Sequence, residues 1–349
     1  TGWQQQCLAY TDVYVDDFIV LQQGNPHQRL AARRNLFHQI DRVFRPNDRH
    51  DVSRREVNST KKLRQGDAHF TVIKKVLGWL VDSVSLHLCI TPSRLDRVTQ
   101  LLDSLRTQRR TTGKIWLQLL GTLRSLGPGV PGGRGLLSVL QKRTPRPGGR
   151  VRISRGAAVT LRLWRHFFHT MPARPTHLRE LFPNAPTWFG ASDACTYALG
   201  GVFFDRHGAA HVWQWALPPL IRARVRTWDN PHGDISINVL ELAAHVAQFL
   251  LKSPRMQPLE HTLDGVDSTA AHGWAVRGSV SRDDAVAVLL AWKALQLRNS
   301  ITVSSSAYVP GSLNCLADDA SRLLFPTPDR LVAFFNSTYP QSTSWQHAP

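Results

Sequence analysis

Two adjacent carboxylates, Asp16 and Asp17, follow Tyr14 and Val15 between two short apolar runs near the start of the sequence. β-Branched and aromatic residues on both sides favour strands, so the segment predicts a hairpin with acid at its tip. Two carboxylates about 4 Å apart repel by roughly 4 kcal/mol at an effective dielectric constant of 20. A divalent cation would offset that repulsion. The alternative is an acidic surface turn, because aspartate is a common turn residue.

Four further acids stand beside apolar or small residues at the ends of predicted elements, namely Asp193, Glu241, Asp267 and Asp318. Carboxylates that converge can be held ionised by two divalent ions about 3.5 to 4 Å apart, which supports hydrolysis of a phosphodiester. Each acid also has a simpler explanation. Asp193 could end a strand in a turn, and Glu241 could complete a capping box with Asn238.

The last two acids have simple explanations as well. Asp267 could cap a helix together with Ser268. Asp318 could be a solvated helix acid beside Asp319. Asp264 lies three residues before Asp267 and competes with it for the third position.

The elements that must position these four acids alternate between strands and helices from residue 187 onward. Apolar patterns predict strands at 188–195, 199–204, 211–215 and 259–268, with a last strand beginning at 301–303. Helices are predicted at 235–251, 285–297 and 314–322. The order indicates a mixed sheet that opens with an antiparallel meander.

The first half of the chain reads as a strand region followed by helices. After the acidic hairpin, residues 25–64 predict one helix and irregular chain, and 70–82 predict a strand bent at Gly78. Apolar residues at three- and four-residue spacing predict helices from Ser93, over 115–123, over 136–140 and over 157–171. Gly/Pro-rich segments separate them.

Positive charge is concentrated in one segment of this chain, whose formal net charge is +18. Between Ser104 and Arg179 there are sixteen Lys or Arg residues and no Asp or Glu. Such a segment repels itself unless a polyanion neutralises it, so nucleic acid is the expected partner. The candidate contacts are Arg109, Arg110, Lys114, Lys142 and Arg143. The alternative is a basic helical spacer that grips nothing.

The four cysteines, Cys7, Cys89, Cys195 and Cys315, are far apart and form no Cys-x-x-Cys pair. This argues against a zinc ribbon and a secreted disulfide framework, and it favours an intracellular, reducing location. No stretch approaches about eighteen consecutive apolar residues and no leader is visible, so we expect no membrane insertion.

The segment Tyr14-Val15-Asp16-Asp17 resembles the Tyr-x-Asp-Asp motif of reverse transcriptases. The resemblance implies that Asp16 and Asp17 help to hold magnesium and that Tyr14 lies at the nucleic acid. Leu77-Gly78-Trp79 resembles the family's segment that grips the primer strand, which implies contacts from Gly78 and Trp79. Lys61 and Lys62 fall roughly where the family carries a lysine near the incoming nucleotide.

The four later acids resemble the Asp-Glu-Asp-Asp set of ribonuclease H in retroelements, in the family's order. Their neighbours match too, at Gly200-Gly201-Val202, Asn238 to Ala243, Asp267-Ser268, and Val309-Pro310-Gly311 through Asn314, Ala317-Asp318 and Ser321-Arg322. The last run is typical of long-terminal-repeat and DIRS-type elements. The resemblance implies Mg2+ (or Mn2+), two ions per active site, and an RNA-DNA hybrid as substrate. The chain departs from many cellular relatives in lacking a histidine within 308–312.

Together these features predict an α/β protein from a retrotransposon reverse transcriptase/ribonuclease H polyprotein. The predicted parts are the C-terminal palm (1–90), a basic helical thumb and connection (91–171), a Pro-rich linker (172–186), a ribonuclease H-like domain (187–325) and a tail (326–349).

The chain opens at Thr1 almost directly on the acidic hairpin, so we expect a fragment. Its expected partners are an RNA-DNA hybrid, primer-template nucleic acid and the missing N-terminal palm and fingers of the same polyprotein. The family's third polymerase carboxylate would precede Thr1, so we expect hybrid cleavage without polymerisation. The alternative function is a catalytically inactive nucleic-acid-binding remnant.

Overall fold

A computed structural model describes residues 8–14, 17–45, 50–51, 58–142, 148–280, 282, 284–299 and 304–349. Contacts divide the chain into two compact units, Thr1–Val84 and Ser85–Pro349.

The first unit contains the predicted acidic hairpin. Strands β1 (Ala9–Tyr14) and β2 (Asp17–Gln22) are antiparallel, with Tyr14 opposite Asp17. Asp16 lies outside the described residues. The hairpin leaves much apolar surface in solvent, since Tyr10 is 61% and Leu21 57% exposed. The pairing of β1 with β2 confirms the strands of the predicted hairpin.

The rest of the first unit is two helices and a second hairpin. Helix α1 (Pro26–Phe44) begins with a capping box between Asn25 and Gln28, and a short helix α2 (Thr60–Arg64) follows. Strands β3 (Ile73–Val76) and β4 (Trp79–Asp82) are antiparallel. The single bent strand predicted over 70–82 is wrong, because Leu77 (φ 48°) and Gly78 (φ 86°) reverse the chain in a tight turn.

The second unit begins with a helical layer. Its helices are α3 (Pro92–Ser104), α4 (Gly113–Leu126), α5 (Gly133–Gln141) and α6 (Arg155–Thr170). Trp116 and Trp164 are fully buried in this layer. The four predicted helices are confirmed. Thr112 and Ser154 cap α4 and α6 by accepting hydrogen bonds from Ile115 and Ala157.

Four short strands in this part of the chain were not predicted. They are β5 (His87–Ile90), β6 (Arg110–Thr112), β7 (Arg150–Arg152) and β8 (Thr176–His177). β5 pairs with β8 and β6 with β7, both antiparallel. Strands of this length are too short to show a two-residue hydrophobic period.

The remainder of the second unit is a six-stranded mixed sheet. Its strands are β9 (Trp188–Ala194), β10 (Ala198–Phe204), β11 (Ala210–Ala216), β12 (Thr262–Val266), β13 (Ser305–Tyr308) and β14 (Gln346–His347). The spatial order is β13-β12-β9-β10-β11-β14. β9, β10 and β11 form an antiparallel meander, β12 runs parallel to β9 and to β13, and β14 runs parallel to β11.

Six helices accompany the sheet. They are α7 (Pro219–Arg222), α8 (Ile237–Lys252), α9 (Thr269–Arg277), α10 (Val286–Asn299), α11 (Cys315–Arg322) and α12 (Pro328–Thr338). The protein is thus a mixed α/β fold with helices flanking a mixed sheet, as predicted. The predicted strand start at 301–303 lies outside the described residues.

Two adjacent glycines let helices approach both faces of β10. A Cβ on Gly200 would lie 2.3 Å from the carbonyl carbon of Ala320 in α11. A Cβ on Gly201 would lie 2.6 Å from Oε1 of Gln248 in α8. Neighbouring strand residues face opposite sides of a sheet, so α11 and α8 cover opposite faces.

Residues beyond 325 do not behave as the tail that we predicted. Leu331, Phe335 and Trp345 are buried against Val202 and Val212 of the sheet, and β14 extends that sheet beside β11. These residues pack on the sheet because burial of large apolar side chains away from water lowers the free energy of the folded chain.

The directions of the strands define one edge of the sheet. β9, β11, β12 and β13 all run the same way, so they end together, at Ala194, Ala216, Val266 and Tyr308. We call this edge the carboxyl edge. No helix in the described part of the chain is long and apolar enough to span a bilayer.

Candidate metal centre

Three of the predicted acids meet at the carboxyl edge. Asp193 lies near the end of β9, Glu241 lies in the early turns of α8, and Asp267 directly follows β12. One oxygen from each carboxylate can be chosen so that all three lie within 4.8 Å of one another. Asp193 is only 2% and Glu241 only 6% exposed. We call these residues the carboxylate cluster.

Strand register explains why two of these acids are neighbours. β9 and β12 are adjacent and parallel, with Ala191 opposite Gly265. Asp193 and Asp267 each lie two residues further along, so they reach the same height at the end of the sheet. The backbone of two paired strands therefore sets the spacing of their carboxylates.

The third acid is placed by a contact between α8 and the chain after β12. Ser268 Oγ donates a hydrogen bond to Asn238 Oδ1 at 3.1 Å. Asn238 lies in the first turn of α8, and Ser268 directly follows Asp267. This bond fixes the beginning of the helix that carries Glu241 beside the strand end that carries Asp267.

Helix α11 supports the cluster from the other face of the sheet. Ser321 Oγ donates a short hydrogen bond to Asp193 Oδ2. Gly200, opposite Asp193 in the ladder, provides the close approach that α11 requires. The sequence showed Ser321 only as part of a matching run, and its contact with Asp193 depends on the packing of α11 against β10.

Burial and mutual repulsion act against ionisation of the cluster. Burial, followed by the charges of Asp193 and Asp267, raises the pKa of Glu241 to about 9. Burial also raises the pKa of Asp193 to about 6, although the hydrogen bond from Ser321 opposes the rise. Among the described residues, no Lys or Arg forms an ion pair with the cluster. The charge of Arg322, which is paired with Asp318, also acts on Asp193, but within the described residues no cation is paired with the cluster itself.

The cluster fits a hard divalent cation. Glu241 Oε2 is buried and has no hydrogen-bond partner, although a buried oxygen without a partner is unfavourable. Carboxylate oxygens are the ligands that Mg2+ and Mn2+ prefer. Asp193, Glu241 and Asp267 would hold the ion, which would supply activation of water and stabilisation of a leaving oxygen.

The fourth predicted acid lies apart from this group. Asp318 is in the first turn of α11, and its Oδ1 accepts a short hydrogen bond from Arg322 Nε. Its charge still acts on Asp193, whose pKa it helps to raise. The role of Asp318 as a ligand therefore stays a prediction.

Two of the simpler explanations are wrong in this structure. The N-cap position of α8 is Ser236, and Asn238 lies inside the helix, so Glu241 is not its capping partner. Ser268, not Asp267, caps α9, by accepting a hydrogen bond from the backbone of Ala271. Helix capping therefore does not explain the positions of Glu241 and Asp267.

The competing residue Asp264 belongs to a different environment. It is fully buried inside the sheet and paired with Lys252, with further hydrogen bonds from Gln248 and Thr262. Asp264 is therefore not available to the carboxylate cluster.

The other predicted site residues are dispersed along the chain. Tyr14 ends β1 and Asp17 begins β2, whereas Asp16 and Arg143 lie outside the described residues. The remaining candidate contacts divide by burial. Trp79 is buried and Gly78 is half-buried, whereas six basic residues are exposed, namely Lys61, Lys62, Arg109, Arg110, Lys114 and Lys142. Their contacts with nucleic acid stay predictions.

Comparison with known proteins gives similarity at the level of solved structures only. No protein-family model matches the sequence. No curated protein matches it either. A foamy viral protease-reverse transcriptase in complex with an RNA/DNA hybrid is similar at 12% identity and a TM-score of 0.34, covering 91% of this chain and 37% of that one.

Two related structures give similar values. Foamy viral protease-reverse transcriptase with double-stranded DNA is similar at 13% identity and a TM-score of 0.34, covering 86% of this chain and 55% of that chain. The same protein in its dRH form, also with double-stranded DNA, gives 13% identity and a TM-score of 0.34, over 86% of this chain and 46% of that one. The chain spans between 37 and 55% of the length of these structures.

Proposed function

We propose that this chain is part of a retroelement reverse transcriptase/ribonuclease H and that residues 187–325 hydrolyse the RNA strand of RNA-DNA hybrids with divalent cations. The observation that carries this proposal is the carboxylate cluster, in which one oxygen each of Asp193 in β9, Glu241 in α8 and Asp267 after β12 lie within 4.8 Å of one another. The resemblance of the flanking runs to retroelement ribonuclease H supports the assignment. The boundaries of the palm (1–90), the thumb and connection (91–171) and the linker (172–186) are part of the proposal, whereas residues 326–349 pack on the sheet of the ribonuclease H-like domain.

The chain's own residues have distinct tasks in this reaction. Asp193 and Asp267 present oxygens from adjacent strand ends, and Glu241 completes the site from α8. Ser321 donates to Asp193 and favours its ionised form, which is the form that binds a cation. Asp193, Glu241 and Asp267 would hold divalent ions, which would supply activation of water and stabilisation of the leaving oxygen.

Charge supports a polyanionic substrate, and the resemblance to retroelement ribonuclease H implies an RNA-DNA hybrid. A chain of net charge +18 is suited to a polyanion, and sixteen of its basic residues lie in the acid-free segment 104–179. Hybrids are recognised through backbone shape and the 2′-hydroxyl rather than through base sequence. We propose that Arg109, Arg110, Lys114, Lys142 and Arg143 contribute to backbone binding, and that the Tyr14–Asp17 hairpin belongs to a polymerase palm.

The test is cleavage of an RNA-DNA hybrid by the full chain in Mg2+, with the RNA strand labelled. We expect Asp267→Asn to reduce the rate at least about 100-fold, since it removes a cation ligand. Asp329→Asn, the same change on an exposed acid of α12, is the matched control and should cleave like the parent. Single-stranded RNA and double-stranded DNA serve as substrate controls.

Two results would contradict the enzyme assignment. One is absence of cleavage by the parent chain in Mg2+ and in Mn2+. The other is cleavage that Asp267→Asn leaves unchanged, because the nuclease would then be a contaminant.

One observation favours a second candidate, a catalytically inactive nucleic-acid-binding remnant. Asp318 is bonded to Arg322 and stands outside the cluster, so the site holds three of the four expected acids in one group. Hybrid binding that weakens with added salt, without any cleavage, would identify this alternative.

A further inference from the structure

The connection between β11 and α8 carries the most exposed large apolar side chain that the structure describes. Trp228 is 96% exposed. Eight of the ten described tryptophans are buried and Trp215 is half-buried, so Trp228 stands apart from all of them. An indole has a large apolar area, and keeping it in water is unfavourable unless a partner covers it.

The base of the loop that presents Trp228 is fixed by paired backbone groups. Arg226 N donates to the carbonyl of Ile235 at 2.8 Å, and Ile235 N donates to the carbonyl of Arg224 at 3.0 Å. Arg224 also forms a two-pronged ion pair with Asp234, at 3.0 and 2.6 Å. The two sides of the loop are thereby held together.

Hydrogen bonds inside the loop fix its tip. Asn230 Nδ2 donates to the carbonyls of Ala223 and Val225, each at 3.0 Å. Asn230 N donates to Thr227 Oγ1 at 3.0 Å, directly beside Trp228. Val225 is 1% exposed and anchors the loop in the core. The indole is therefore presented by an ordered loop rather than by a loose segment.

The whole connection from β11 to α8, which contains this loop, begins and ends at the edge of the sheet where the carboxylate cluster lies. It leaves the carboxyl edge after β11, which runs parallel to β9 and so ends on the same side as Asp193. At its other end, Ile235 lies three positions before Asn238 in the sequence, a reach of at most about 11 Å. Asn238 is bonded to Ser268, the neighbour of Asp267.

The chemistry around Trp228 matches a nucleic acid strand. Arg222 and Arg226 are exposed, and within the described residues neither forms an ion pair with an acid. Arg222 lies over the Tyr197 ring. Arg226 Nε donates to the carbonyl of Gly233 at 3.0 Å, which leaves its other guanidinium N–H groups for a ligand. An exposed aromatic ring beside guanidinium groups combines base stacking with phosphate attraction. The neighbours Thr227, Asp229 and Asn230 are polar, whereas protein-binding surfaces are centred on wider apolar patches.

We propose that Trp228 is a substrate-binding residue, which stacks on a base or sugar of the RNA-DNA hybrid where that hybrid crosses the carboxyl edge. This inference rests on the proposed function, because it takes the hybrid as the substrate of the neighbouring cluster. Arg226 contacts the phosphate next to the stacked residue.

Binding of a fluorescent hybrid to the full chain in EDTA tests the proposal separately from cleavage. Trp228→Ala should weaken binding roughly 5- to 100-fold, as expected for loss of one stacked aromatic, and Trp228→Phe should stay within about threefold of the parent. Phe182→Ala removes another exposed aromatic, 74% accessible, and should bind like the parent. Thermal unfolding should not change in any of these variants, because the replaced rings make little contact with the core.

A photo-crosslink supplies a second readout that does not depend on a variant. A hybrid carrying 5-iodouracil, irradiated in complex with the full chain, should crosslink to Trp228, as identified by mass spectrometry. In Mg2+, Trp228→Ala should raise KM by a factor similar to its loss of affinity and leave kcat nearly unchanged.

The outcomes separate this inference from the proposed function. A parent chain that cleaves the hybrid while Trp228→Ala binds and cleaves equally well overturns the role of Trp228 and leaves the nuclease assignment intact. Trp228-dependent binding without cleavage supports the role and contradicts the nuclease. If the parent does not bind the hybrid, the inference is overturned. It is also overturned if Trp228→Ala abolishes self-association of the chain and leaves hybrid binding unchanged, since the ring would then contact protein.

Discussion

Helix α8 carries two buried acid-containing sites that solve the problem of buried charge in opposite ways. Glu241 lies near its beginning, and Lys252 is its last residue, about 16 Å further along the axis at 1.5 Å per residue. At the far end the chain itself supplies a cation for Asp264. At the near end three carboxylates converge, and none of them forms an ion pair within the described residues.

The site around Lys252 is complete by itself. Lys252 Nζ is bonded to Asp264, and Thr262 Oγ1 accepts from the same ammonium at 2.8 Å. Burial alone would raise the pKa of Asp264, but Lys252 and the Gln248 amide bring it below its ordinary value. Both partners of the pair are fully buried.

The carboxylate cluster has the opposite character. The pKa of Glu241 rises to about 9 and that of Asp193 to about 6, and Glu241 Oε2 has no partner. At Lys252 the buried charge is matched by side chains of the fold, whereas the carboxylate cluster has no such partner among the described residues. This contrast supports our proposal that the near end of α8 binds a divalent cation.

The largest effect is expected from breaking the complete pair. Lys252→Met leaves Asp264 buried and uncompensated, so the free energy of unfolding should fall by about 3 to 5 kcal/mol. Replacing both partners, in Lys252→Met with Asp264→Leu, should restore most of the loss. Urea unfolding of both variants measures this. Equal stability of Lys252→Met and the parent would contradict the assigned role of the pair.

Removing a charged group from the carboxylate cluster should stabilise the fold rather than destabilise it. In EDTA at pH 8, Glu241→Gln should stabilise the fold by about 1 to 3 kcal/mol, because it removes a carboxyl group whose ionised form is disfavoured by burial.

The dependence on pH has a definite direction. The unfolded chain releases the proton of Glu241 near its ordinary pKa of 4.5, and the folded chain releases it near 9. Between these values the unfolded state binds fewer protons, so stability falls as pH rises, by up to about 1.4 kcal/mol per pH unit. Urea unfolding from pH 5 to 9 should show this fall in the parent and a smaller one in Glu241→Gln. A parent that gains stability over this range would contradict the account.

The smallest effect is expected from removing the hydrogen bond that Ser321 donates to Asp193. Ser321→Ala removes the hydrogen bond to Asp193 Oδ2 and should raise the pKa of that carboxyl group further. Hybrid cleavage should fall about tenfold, as is typical when a group that orients a metal ligand is lost.

The pH profile gives the test its specificity. In Ser321→Ala, the acid limb of the rate profile should move to higher pH. Ser337→Ala is the control, because that hydroxyl only bonds to the carbonyl of Phe334 within α12. An unshifted profile in Ser321→Ala would show that Ser321 has only a structural role.

Much of the fold could be predicted because its signals are local. Helices α3 to α6 carry apolar residues at three- and four-residue spacing, and the first three sheet strands are bounded by turn residues. Helices α7, α9 and α12 were not predicted. Places at element ends and the resemblance to ribonuclease H singled out Asp193, Glu241, Asp267 and Asp318, and the structure brings the first three together. Their catalytic role stays a prediction.

What could not be predicted depends on distant contacts. The pairing of Lys252 with Asp264 requires α8 to lie on β12, and the bond from Ser321 requires α11 to lie on β10. The reversal at Leu77 and Gly78 was missed because the apolar run continues across the turn. The sequence also gave no sign that Trp228 would stand in solvent while other tryptophans are buried.

Titration of the full chain with Mn2+, followed by electron paramagnetic resonance, tests the central claim most directly. The account predicts saturable Mn2+ binding by the parent and by Asp329→Asn, and loss of that binding in Glu241→Gln. Unchanged Mn2+ binding by Glu241→Gln, or none by the parent, would contradict the claim that the carboxylate cluster is a divalent-cation site.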